Sequence, residues 1–383
     1  MFRIIILLFP VLITLYWTVS LALVERNQSV PGKFFSIVMF LSFVCFFTHF
    51  AYFVPLPAIF PFFDFLIQYS GSLVLPVYYI YFRILTVDEK FSFKAHGRFL
   101  IIPVILATTY CIGAFLTPQI EYRTWLFNEN AFPDSPYIHF LSAMRLILRI
   151  QFLILVVITV IGNQQLIKKY GDRAEQYYSE INDGKYNHVK MLNYSVIILS
   201  GASFIAVAIG RSLLMPKDII IYIVWTICSI MICYMGYMGS KQKPVNPTYE
   251  TIEDQPVVME KKLNGVQKKL LKNMLVLFDQ KKIYLRSQLN IMDLVQLVGT
   301  NRTYISVLIN DQFNQNFCSF VNSYRLQELE RIICEKPHYK NGMLAERCGF
   351  GSINSLKRAV MSKTGMSLSE WKKQQLEKNK ESL

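Results

Sequence analysis

Seven stretches of this chain are almost continuously apolar, and their repetition constrains the fold more than any motif does. They run near residues 4–24, 34–54, 62–85, 98–116, 137–161, 191–213 and 218–239. At 1.5 Å of rise per residue, each is long enough as a helix to cross a hydrocarbon core of roughly 30 Å. Backbone polar groups find no water inside lipid, so segments of this kind must bond internally, as helices. Composition agrees: 53% of the residues are hydrophobic and 14% aromatic, and the mean hydropathy is +0.31, above the usual range of a soluble domain. The expected fold class is all-α, with a seven-helix transmembrane domain over residues 1–240. The first block follows Arg3 in the manner of a signal peptide. Its apolar run is long for one, however, and LALVERN offers no small-x-small cleavage site, so a retained first helix is expected.

Orientation follows from where the cations fall between the blocks. One set of loops carries Arg26 and Lys33, then Lys90, Lys94 and Arg98, then Lys168, Lys169, Arg173, Lys185 and Lys190, then Lys241 and Lys243. The opposite set has no cation in PLPAIFP (55–61) and only Arg123 in 117–136, beside Glu121, Glu129 and Asp134. Cytoplasmic loops hold the excess of Lys and Arg. The N-terminus is therefore expected outside a cell membrane and the C-terminal part in the cytoplasm.

Several polar groups sit where lipid makes them costly. Arg145 and Arg149 share a face of the fifth block, four residues apart. Asp64 and Arg211 lie near the outer ends of the third and sixth blocks, and His49 lies late in the second. An ionised side chain at such depth costs several kcal/mol unless it meets water or a partner. Two readings follow: an outward-facing pocket for an anionic or polar ligand, or pairing between helices, for example Asp64 with Arg145. Pro10, Pro76 and Pro103 can bend their helices, which membrane spans tolerate. Ala202, Ala206 and Gly210 form a small-residue face suited to close packing.

The last third has a different character. From Lys241 onward there are 23 Lys/Arg against 14 Asp/Glu, a basic balance that suits a phosphate-rich partner or an anionic lipid surface. The prolines of SKQKPVNPTYETIEDQPVV mark a linker over 241–258. Helical periodicity begins with Leu263, Val266, Leu270, Leu271, Met274, Leu275 and Phe278. IMDLVQLVGTNRTYISVLIN (291–310) then fits a helix-turn-helix. Leu294 and Val298 supply the first helix's core, Gly299 the turn, Asn301 a cap, and Ile305 and Leu308 the second core. Val295 stands where a smaller residue is usual. A second unit follows 50 residues on, from Gly299 to Gly349. Leu344, Ala345, Gly349 and Phe350 form its turn. In SINSLKRAVMSKTG, Leu356 and Val360 point inward, and Asn354, Lys357 and Arg358 outward. NFCSFVNSYRLQELERIICEK reads as a connecting helix between the units.

These stretches, with LAERCGF and KTGMSLSEWKK, resemble the AraC/XylS family DNA-binding domain over about Lys261 to Lys373; the domain boundaries are drawn at 259–375, with a charged tail at 376–383. The resemblance implies contacts to double-stranded DNA through Thr303, Ser306 and Val307 in one reading helix. In the other it implies Asn354, Ser355, Lys357 and Arg358. Asn suits adenine, and Arg or Lys suits guanine. Leu356 and Val360 replace the family's usual aromatics, and Leu368 a usual proline, before the closing Trp371.

The expectation is a non-enzymatic transcription regulator whose bundle responds to a small-molecule or membrane signal. Confinement to the bilayer favours a homodimer or paired sites. The alternative is a receptor or transporter-like protein whose tail binds another protein. No Gly-rich phosphate loop, nucleophile elbow or H-E-x-x-H occurs, and no cofactor or metal is indicated. Cys45, Cys111, Cys228, Cys233, Cys318, Cys334 and Cys348 lack zinc spacing and fit small buried hydrophobes.

Overall fold

The computed structural model describes residues 2–23, 30–54, 60–88, 91–127, 134–179, 189–203, 218–241 and 265–381. Arg26, Lys90, Lys185, Arg211, Lys243 and the 241–258 linker beyond Lys241 lie outside them. Among the described residues the architecture is all-helical. The chain forms two compact units, one from Met1–Lys169 and Asn187–Pro247, the other from Tyr170–Tyr186 and Thr248–Leu383.

The first unit contains α1 (Phe2–Leu23), α2 (Val30–Phe53), α3 (Phe60–Thr86), the single turn α4 (Phe93–His96), α5 (Arg98–Leu116) and α6 (Gln119–Phe127). It continues with α7 (Pro136–Tyr177), whose residues beyond Lys169 belong to the second unit, helical residues 189–203 (α8) and α9 (Asp218–Lys241). Six of these helices are long and apolar enough to cross a membrane: α1, α2, α3, α5, α7 and α9. The sixth expected span is helical over 189–203, and its remainder falls outside the described residues. α1 packs on α2 and α9, α2 on α3, and α3 on α5. Their outward faces carry exposed Ile101, Ile102, Ile105, Leu146, Ile150 and Val157. That inverts the pattern of a water-soluble helix and suits a lipid solvent.

Two elements depart from expectation. The expected span 137–161 continues as helix to Tyr177, 42 residues in all, or about 63 Å against a core of roughly 30 Å. Hydropathy marks where lipid ends, whereas NQQLIKKYGDRAEQY holds good helix formers and no proline, so the helix persists into polar sequence. The expected 117–136 loop contains α6, which buries Tyr122, Trp125 and Leu126 at helical spacing.

The second unit comprises the described residues 170–179 and 265–381, with α10 (Gly265–Asp279), a 3₁₀ turn at Ile283–Leu285, α11 (Ile291–Val298) and α12 (Arg302–Phe313). After these come α13 (Phe317–Glu335), α14 (Asn341–Arg347), α15 (Ile353–Thr364) and α16 (Leu368–Glu381). Two hydrophobic cores share α13 as a spine. Its first half gives Phe317, Phe320 and Val321 to a core with Met274, Phe278, Leu294, Ile305 and Leu308. Its second half gives Leu329, Ile332 and Ile333 to a core with Leu344, Phe350, Leu356, Val360 and Trp371.

Candidate functional site

The first unit holds a half-open cavity of about 710 Å³, lined mostly by apolar side chains of α2, α3, α6, α7, α8 and α9. Four of the intramembrane polar residues picked out in the sequence line it: His49, Asp64, Arg145 and Arg149. Arg211 lies outside the described residues.

Asp64 is 2% exposed and fully engaged. It accepts hydrogen bonds from the hydroxyls of Tyr110 and Tyr122 (2.7 Å for the latter) and, on its other oxygen, from Arg145 Nη2 at 3.0 Å. Arg145 also donates through Nε to Tyr110 Oη at 3.2 Å, and its guanidinium lies 3.9 Å from the centre of the Trp125 ring. The Asp64–Arg145 pair is therefore the interhelical tie of the second reading, completed by aromatic residues of α5 and α6. Nothing in the bare sequence marked Tyr110, Tyr122 or Trp125, because their role depends on folding a loop helix back over the bundle. His49 donates from Nδ1 to the Cys45 carbonyl at 2.7 Å, so in its neutral form Nε2 is an acceptor. Arg149, one turn from Arg145, has no hydrogen-bond or ion-pair partner among the described residues.

In the second unit, backbone chemistry sets two pairs of short helices. Asn290 and Asp293 form a capping box at the start of α11, and Gly299 ends that helix at φ +74°. Asn301 then caps α12 through Tyr304 N at 2.9 Å, as the sequence suggested. Ser352 caps α15 through Ser355 N at 3.1 Å. Gly349 holds φ +79°, and a Cβ there would meet Leu285 Cα at 2.6 Å, so only glycine fits.

The residues singled out for DNA fall into three groups. Asn354, Lys357 and Arg358 are exposed along one face of α15. Thr303, Ser306 and Val307 are half-buried on α12. Ser355 is buried at 7% exposure; it bonds Ser352 Oγ at 3.0 Å and accepts from Arg358 Nη2 at 3.3 Å. It lies on the inner face with Leu356 and Ala359 and helps to orient Arg358.

Residues 170–179 belong to this unit through specific bonds. Ser179 N donates to the Leu289 carbonyl at 3.0 Å, and Asn316, the cap of α13, donates to Glu175 Oε2 at 3.0 Å. Arg302, the first residue of α12, stacks on Tyr177 at 4.2 Å. Arg325 is wholly buried and donates to the carbonyls of Tyr284 and Arg286, each at 2.8 Å, and to Ser179 Oγ at 3.1 Å. A domain drawn from 259 onward omits this segment.

The fold defines the class: an all-helical protein with a membrane-type bundle and a second, basic helical unit. Comparison with protein-family models, with curated proteins and with solved structures finds no match to the chain.

Proposed function

We propose that this chain is a membrane-anchored, non-enzymatic, one-component transcription regulator. Its bundle has the N-terminus outside and receives a signal, and its cytoplasmic unit reads DNA as an AraC/XylS-type pair of helix-turn-helix units. The observation that carries this reading is the doubled arrangement on α13. On each half of that spine a capped helix follows a positive-φ glycine, and α15 presents Asn354, Lys357 and Arg358 as an uninterrupted polar face. Asn and Arg can pair with base edges, and Lys and Arg with phosphate. Coupling is supported by α7, which supplies Arg145 and Arg149 to the first unit and Tyr170–Tyr177 to the second.

One observation favours the alternative, a receptor whose tail recruits a protein. The only cation of α12, Arg302, is already stacked on Tyr177, and the helix's other charged residue is the exposed Asp311, which a phosphate backbone repels. The full chain in nanodiscs separates the two readings. Genomic DNA fragments are captured at low salt and sequenced, then the capture is repeated with Arg358→Ala. A discrete set of sites, lost or weakened about tenfold or more in the variant and falling steeply with salt, is expected. No enrichment by a folded full chain would leave the protein-recruiting reading.

A further inference from the structure

The polar groups around the cavity do not cancel. Asp64 and Arg145 neutralise one another, and among the described residues Arg149 has no carboxylate partner, which places a positive charge on the cavity wall. Two further groups of that wall are buried without a hydrogen-bond partner among the described residues: the Tyr78 hydroxyl, in a residue 1% exposed, and the Trp225 indole N–H, in a residue 4% exposed. Buried donors left without acceptors are costly, and each such case calls for an explanation. An indole N–H only donates, and a tyrosine hydroxyl donates or accepts. The remaining wall is mostly apolar and aromatic, with Phe46, Leu75 and Ile232 among its residues, and a few serines and Gln68 besides. The volume lies within the range of small-molecule sites, about 300–1,000 Å³.

We infer that this cavity binds an amphipathic anion, with a carboxylate or phosphate head on Arg149, an apolar body in the cavity and an acceptor atom for Trp225 Nε1. This deepens the proposed function, since it rests on the bundle being the part that receives a signal. The charge selects an anion over a neutral amphiphile, and the apolar wall selects an amphiphile over a small inorganic ion. The anionic head can come from a free carboxylate or from a lipid, and the two share the same chemistry at Arg149.

The test uses the full chain in phosphatidylcholine nanodiscs, titrated with decanoate and, separately, with the uncharged decanol. Tryptophan emission reports binding, with Trp225→Phe identifying the contribution of that indole, Trp125 being the other tryptophan of the wall. Decanoate is expected to bind about tenfold more tightly than decanol. Arg149→Gln should remove that preference, and Arg149→Lys should keep most of it. Equal binding of the two probes by the unchanged chain, or a preference that survives Arg149→Gln, overturns the proposal. Adding phosphatidylglycerol then identifies the source: loss of the decanoate response assigns the head to a lipid, and its persistence assigns it to a free acid. Both results support the site. DNA capture with and without decanoate is scored separately. Binding with unchanged capture removes the sensor reading and leaves the site standing.

Discussion

Glu328 and Arg325, one turn apart on α13, show how single residues hold the second unit together. Arg325 has no exposed surface, yet it donates to the main-chain carbonyls of Tyr284, Ser179 and Arg286 from separate segments, so it acts as a clamp on backbone. Glu328 collects cations: Arg331 at 2.6 Å and Lys282 at 3.2 Å. The hydrogen bond from Arg331, aided by Lys282, holds its carboxyl below the usual carboxylate range, although burial pushes the other way. A carboxylate depressed on folding stabilises the protein above its unfolded pKa of about 4.3, and that contribution is lost as pH falls through the lowered value. Arg331 and Lys282 are nearly half exposed, so solvent screening limits the effect to about 1–2 kcal/mol. Glu328→Gln should lower the unfolding temperature of the second unit at neutral pH, and the gap from the parent should close below about pH 4. A gap that stays constant down to pH about 3 would show that the charge contributes nothing.

The elements differ in how legible they were. Apolar runs bounded by prolines and charges placed α2, α3 and α5 within a few residues, since 34–54, 62–85 and 98–116 are observed as 30–53, 60–86 and 98–116. Gly299, Asn301, Ile305 and Leu308 could be placed because turn, cap and core are local requirements. The docking of 170–179 could not be seen, because Ser179 meets Arg325 across 146 residues of chain and no local periodicity pairs them. Tyr110 and Tyr122 escaped notice for the same reason, lying 46 and 58 residues from the Asp64 they serve. The burial of Ser355 is equally illegible, because spacing alone does not reveal that a cap at Ser352 turns it inward. The docked segment carries its own prediction under the proposed DNA reading. Tyr177→Leu keeps the apolar packing against the first core but removes the ring beneath Arg302, a contact worth about 0.5–1 kcal/mol. The guanidinium, no longer held over that ring, can turn toward a phosphate beside the start of α12. DNA affinity of the full chain should then rise a few-fold at low salt, with a salt slope steeper by about one. An unchanged slope would place Arg302 away from the DNA backbone.

In the molecule as a whole, α7 presents two arginines on one face, and the structure gives them different surroundings. Arg145 is enclosed by Asp64, Tyr110 and Trp125, whereas Arg149 lines the cavity with no hydrogen-bond or ion-pair partner among the described residues. If Arg145 serves the bundle, its worth lies in the pair with Asp64. Breaking a buried pair leaves the surviving charge desolvated and costs about 3–5 kcal/mol, while removing both partners together costs far less. Asp64→Asn and Arg145→Met should therefore each destabilise the first unit strongly, and the double variant should be no worse than either single one. The coupling expected from this cycle is about 3 kcal/mol, measured by unfolding in detergent or nanodiscs. Strictly additive losses would mean that the pair does not tie α3 to α7. The same cycle distinguishes the roles of the two arginines. In the double variant Arg149 still provides the positive charge of the cavity, so its preference for decanoate over decanol should persist. Loss of that preference together with the pair would make Arg145 part of the anion site and merge the two roles that the geometry keeps apart.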